Sequence, residues 1–279
     1  MNINKNFVDN NNGEIYMKKI IISVLLVLLV GVSTIMGTYA VIINVVSDNG
    51  VDKIVNVINI KDLLSDDNGN YNSTYYDVRD ELNINDSEMD VLMNSSYLND
   101  SLKTVLDNVV SYKLRGGTKL SNDDIYNMIV NDVNKDDGIN TILKNKVIDK
   151  SNVYRSDISD YIYDLFHDLD EMSKIELVDM LKKEYPRFII IFVIIALLFV
   201  LEKNKINILR RLGDTFIISG SFIIVIGLIF KFIIKSNIYF INISNVINVI
   251  FNQFLVISMV FYICGIISYL GYNLIIKSV

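Results

Sequence analysis

The 279-residue chain has no tryptophan, one proline, one cysteine and one histidine. Each scarcity closes off a class of chemistry. The single cysteine, Cys264, lies inside an apolar run, so no disulfide can form within the chain, and any exported domain must fold on its core alone. A lone histidine, His167, excludes the paired-histidine metal sites of zinc enzymes. Its setting, YDLFHDLDE, reads as a surface residue on an acidic helix. There is no glycine-rich phosphate loop and no nucleophile-elbow motif; Gly116 and Gly117 read as a helix stop. A basic footprint is also missing, since the net charge is −6, and this argues against nucleic acid. The apolar runs carry no central Asp or Glu, which counts against a proton-coupled carrier. From these absences we expect no enzyme, no cofactor and no metal centre.

What the chain does have is apolar length, unevenly placed. Residues 20–46 read IIISVLLVLLVGVSTIMGTYAVIINVV, enough to cross a bilayer that needs about 20 apolar residues. Three further runs, 188–201, 216–234 and 246–270, crowd the C-terminal third. The first of these has only 14 residues, but Arg187 and Lys203 can extend to the interfaces and Pro186 suits a first helical turn. Between the first run and the others lies a water-facing stretch that holds 28 acids and 15 bases, a net of −13. The remainder of the chain nets +7.

Basic residues in short loops mark the cytoplasmic side. Lys5, Lys18, Lys19, Lys203, Lys205, Arg210, Arg211 and Lys277 fall on one side if the N-terminus is inside, while the loop 235–245 has only Lys235. The expected fold is all-α: four transmembrane helices, one plus three, with a helical extracytoplasmic domain between the first and the second. The expected boundaries are a cytoplasmic tail at 1–19, a first span at 20–46, the acidic domain at 47–186 and a three-helix membrane domain at 187–279, with both termini inside. The first sixteen residues are expected to lack fixed structure, and 20–46 is read as an uncleaved anchor rather than a signal peptide. Abundant Asn, Ile and Lys suggest the envelope of a low-GC Gram-positive bacterium.

Within the acidic stretch the apolar period is near 3.6. Leu98, Leu102, Val105, Leu106 and Val109 share a helical face. Ser121 and Asp124 resemble a capping box that opens a helix with Ile125, Met128, Ile129 and Val133 as its stripe. Ile139, Ile142, Leu143 and Val147 predict a third helix, residues 153–166 a fourth, and the stripe from Ile175 to Leu181 a fifth. Residues 64–81 read as an irregular lead-in.

Three groups of residues invite a functional reading. Asp132, Asn134, Asp136, Asp137 and Asn140 alternate like ligands of a calcium loop, but the glycine falls one place late and Leu143 stands where the bidentate acid belongs. Acids of a loop between two helices are the better account. Asn245, Asn248 and Asn252 recur at helical spacing in the last run, where amides serve to glue helices together. Gly213, Gly220 and Gly227, seven apart, predict a face of close helix packing in the third run.

The string Ile206, Asn207, Ile208, Leu209, Arg210, Arg211, Leu212, Gly213 resembles the segment that follows the second span in FtsX/MacB-type permeases, whose layout of one span, a large outer domain and three spans is also similar. The resemblance implies a separate cytoplasmic ATPase as partner, with Ile206, Leu209, Arg210 and Gly213 in the coupling segment. The longer stretch LRRLGDTFIISGSFIIVIGLIF is similar to the third span of uncharacterised four-span proteins of low-GC Gram-positive bacteria, which have helical outer domains of comparable size. The expected function is protein interaction or sensing at the outer face, with membrane lipid around the spans and a protein partner outside; the permease is the alternative.

Overall fold

The computed structural model describes residues 3–165, 184–237 and 242–278. Every regular element among them is a helix; the nearest approach to a sheet is an isolated antiparallel bridge between Ser65 and Tyr71. The chain divides into two compact units. One comprises Met1–Asn44, Val178–Phe230 and Phe251–Val279, and the other Val45–Leu177 with Lys231–Ile250.

The first unit is built from α1 (Ile3–Val46), α10 (Glu184–Leu201), α11 (Ile206–Asn237) and α12 (Ser244–Ser278), of which α11 and α12 also contribute a few turns to the second. Within α1, α11 and α12, the stretches Tyr16–Val46, Ile206–Ser236 and Ser244–Lys277 are long and apolar enough to cross a membrane, so this is a multi-pass membrane protein. Their side chains are arranged accordingly. Val27, Leu228 and Leu274 project outward from the three spans, an inversion of the soluble pattern that suits a lipid surround, and Phe192 and Val200 of α10 are likewise exposed. Ile22 and Leu29 of α1 pack on Ile194 and Leu198 of α10. Farther along α1, Gly37 lies against Ile223 and Phe261, and Ser219 donates to the Val30 carbonyl at 3.3 Å.

In this unit two expectations are corrected. The polar leader is helical from Ile3, because a long apolar helix that has already nucleated propagates into adjoining residues at little cost. Residues 206–213 are not a loop but the first two turns of α11. The connection itself is only 202–205, closed by the Asn204 side chain accepting from the Ile206 amide at 3.1 Å and by the Lys205 ammonium donating to the Glu202 carbonyl at 2.9 Å.

The second unit is a bundle of short helices: α2 (Asp48–Val57), α3 (Ile60–Leu63), α4 (Ser73–Leu82), α5 (Asp86–Met93), α6 (Ser96–Arg115), α7 (Asn122–Lys135), α8 (Thr141–Val153) and α9 (Ile158–Leu165). Seven of these begin on an Asn or Ser side chain that accepts from the first-turn backbone: Ser47, Asn59, Asn72, Asn85, Ser95, Ser121 and Asn140. Helices this short are marginal alone, and a cap contributes about 1 kcal/mol at each start. Asn85–Glu88 and Ser121–Asp124 are reciprocal capping boxes. Gly116 ends α6 at φ +70°, where a side chain would be strained.

The lead-in at 64–81 is a further correction: most of its second half is α4, bounded by the Asn72 cap and by Asn83 in the left-handed conformation. Its buried stripe is too short to show a period. The helix expected at 153–166 begins later, as α9 at Ile158; Val153 is the last residue of α8, and 154–157 form a turn between them. Ile142 and Val153, assigned to stripes, are each 68% exposed, because α8 presents only Leu143 and Val147 as fully buried residues. His167 and the stripe at 175–181 lie outside the described residues.

Candidate functional site: a hollow in the helical domain

Among the described residues, the core of the helical domain is several buried clusters bridged by half-buried side chains, Ile84 and Ile129 among them. Its buried apolar residues form separate clusters, centred on Leu143 and Val133, on Tyr75 and Met89, on Val109 and Ile125, and on Val51 and Leu106. Val105, Ile125 and Val147 of these clusters, with half-buried neighbours, line an open cavity of about 470 Å³, within the roughly 300–1,000 Å³ of small-molecule sites.

Six helices contribute to the wall. Helix α6 presents Leu98, Leu102 and Val105, and α7 presents Ile125, Met128 and Ile129 across from it. Ile60, Val78 and Leu82 close one side, and Ile158 and Ile162 another. The two serines in the wall have no proton to offer an occupant, only an accepting oxygen, since Ser101 donates to Asp132 and Ser151 to the Val147 carbonyl at 2.8 Å. The remaining polar groups are together at the exposed rim. Tyr154 donates to the Glu81 carboxylate at 2.9 Å, and the Lys150 ammonium lies 3.5 Å from the same carboxylate and 5.3 Å from the Tyr154 ring. The chemistry is therefore an aliphatic interior with one charged, hydrogen-bonding corner.

The rim is held by specific contacts. Helix α4, which carries Glu81, is fixed by Arg79, whose guanidinium bonds Asp86 at 2.9 Å, and by Tyr75, whose hydroxyl donates to Asp86 at 3.2 Å. Arg79 and Tyr75 hold the Asp86 carboxyl below the usual carboxylate range. Burial, with Asp86 beside it, pushes the Tyr75 hydroxyl up to about 12. Helix α8, which carries Lys150, is tied to the end of α4 by Lys146, which donates to the Asn83 carbonyl at 2.6 Å. Asn99 joins α3 to α6: its side chain accepts from the Ile60 amide at 2.8 Å and donates to the Met93 carbonyl at 3.0 Å.

The residues singled out from the sequence lie elsewhere. Asp132 and Asp136 do not converge on a cation position; each accepts from a serine of α6, Ser101 and Ser95, and Asn140 caps α8. Gly213, Gly220 and Gly227 are buried along α11 and face α12, at Tyr269 and Gly265, Ser258 and Phe261, and Phe254. Ile206 and Leu209 are half-buried, Ile208 is buried, and Arg210 is exposed. Arg211 forms an ion pair with Glu202 at 2.8 Å. Asn248 accepts from Lys231 at 2.9 Å, whereas Asn252 is exposed and touches no polar group that would make it glue.

A contact without sequence signal joins the loop before α12 to the domain. The Asn242 amide donates to the carbonyls of Asp62 and Ser65 at 3.0 and 2.8 Å, and Ser244 approaches Asp67 at 3.4 Å. Burial raises the Asp62 pKa, opposed by the Asn245 side chain. Comparison of the chain with known protein families, curated proteins and solved structures finds no match to any of them.

Proposed function

We propose that this protein is a four-span envelope protein that holds an acidic helical domain outside the cell as a sensing module. The observation that carries the reading is the apolar cavity among the described residues of the domain, lined by six helices and closed at its rim by Glu81, Lys150 and Tyr154. An outer location is supported by the division of the chain. The loop 235–245 belongs to the same unit as the acidic domain, whereas Lys18, Lys19, Lys203, Lys205, Arg210, Arg211 and Lys277 all belong to the other.

A fourth crossing by α10 is supported by its length. Eighteen residues rise about 27 Å, close to the hydrocarbon thickness of about 30 Å. Its pairing with the first half of α1 supports the same conclusion. Arg210 is the one exposed arginine at the start of α11, so an ATPase of the permease kind would have to engage it.

The reading is tested by purifying the tagged full chain from native membranes in a mild detergent, with and without Arg210→Glu. A sensor yields the same co-purifying proteins from both. A stoichiometric ATPase that is lost with Arg210→Glu replaces the sensor with the permease.

A further inference from the structure

We propose that the cavity of the helical domain binds the aliphatic chain of a single-chain amphiphile, with an anionic head at Lys150. The inference rests on the sensing reading and names the ligand class.

Three observations lead to it. The first is the interior. Its wall is Leu, Ile, Val and Met, and its serine hydroxyls are already committed to protein acceptors. Water needs two to four polar partners to occupy such a space, and a ligand with hydrogen-bonding groups along its length would leave them unmet. A saturated chain has no such groups. The second is shape: the hollow runs between side chains of six helices, and a flexible chain follows an irregular space better than a rigid ring system does.

The third is the rim. Lys150 is paired with Glu81, but Glu81 also accepts from Tyr154. If Lys150 turns to an incoming carboxylate or phosphate, Glu81 keeps the tyrosine bond. What is lost is one half-exposed ion pair, worth little in water. The head group gains a charge-assisted bond in exchange.

The test uses the full chain in native membrane vesicles and a palmitate analogue with a photoreactive group at the chain end. Crosslinked residues are mapped by mass spectrometry. Expected are crosslinks at Met128, Ile129 or Leu102 that saturate with dose and are displaced by unlabelled palmitate. Displacement by lysophosphatidic acid alone would assign the head group as a phosphate ester rather than a free carboxylate, within the same proposal. Leu102→Trp, and separately Ile129→Phe, occupy the space of the chain and lower apparent affinity on the order of tenfold or more, as losing room for about two methylenes requires. Lys150→Gln weakens displacement by palmitate but not by hexadecanol. Crosslinks confined to α1, α10, α11 and α12, or domain crosslinks that neither filling variant reduces, overturn the proposal. Because the labelling works whichever side the domain faces, its failure leaves the outer location standing, and an inner location leaves the ligand class standing.

Discussion

At each of the three buried glycines of α11 an added methyl would meet atoms fixed to the α12 backbone, and this sets the effect of alanine there apart from its effect at an open glycine. At Gly213 a Cβ would lie 3.2 Å from the Gly265 carbonyl oxygen and 2.8 Å from the Tyr269 ring; at Gly220 it would lie 3.2 Å from the Ser258 carbonyl oxygen. Backbone oxygens of a neighbouring helix cannot step aside without moving the helix. At Gly227 the near atoms are Cγ, Cβ and Cδ1 of Phe254 at 2.7, 2.8 and 3.1 Å, and that Cβ is fixed to the α12 backbone, so turning the ring does not clear it. Gly31 on α1 has nothing within 4 Å and serves as the control. Alanine gains the same intrinsic helix preference over glycine, about 1 kcal/mol, at all four sites, so it cancels in the comparison. What remains is overpacking of about 1–3 kcal/mol at Gly213, Gly220 and Gly227 and none at Gly31. The assay is unfolding of the purified full chain in mild micelles by added sodium dodecyl sulfate, followed by circular dichroism. Gly213→Ala and Gly220→Ala matching Gly31→Ala within error would refute the assignment of this face to close packing.

Leu143→Ala in the domain core should cost about 2–5 kcal/mol and raise amide exchange across α5, α7 and α8, read by hydrogen-exchange mass spectrometry. Tyr75 gives a signed alkaline effect: its folded pKa is raised, so its stabilisation is full below the ordinary 10.0 and is lost as pH climbs through about 12. An alkaline titration by tyrosinate absorbance should show a late-ionising component that Tyr75→Phe removes. Asn242→Pro deletes the amide that donates to Asp62 and Ser65, so exchange should rise in residues 60–72 while α7 is unchanged.

The parts of the fold legible in the sequence are those written in long periods or strong caps. The apolar runs, the α6 stripe with its glycine stop, the Ser121–Asp124 box and the seven-residue glycine spacing all depend on residues near one another in the chain. Helices α2, α4 and α5 were not legible, because eight or ten residues bury too few side chains to display a period; their signal is the Asn or Ser before each, diluted in a chain rich in both. The cavity was invisible for a different reason. Periodicity identifies which residues face inward, as it did for Leu102, Met128 and Ile129, but not whether the opposing faces meet. The rim joins α4 to the end of α8 across more than seventy residues, a separation over which no local pattern carries information.

The most direct test of the account is a map of sidedness. Cys264 is replaced by Ser, and single cysteines are introduced at the exposed positions Lys135, Lys205 and Lys277. Intact cells are then treated with a membrane-impermeant maleimide. The account predicts labelling at 135 alone, with 205 and 277 reacting only after permeabilisation. Labelling at 205 together with 135 would mean that α10 does not cross, and protection of 135 would place the helical domain inside the cell, contradicting the outward-facing sensor.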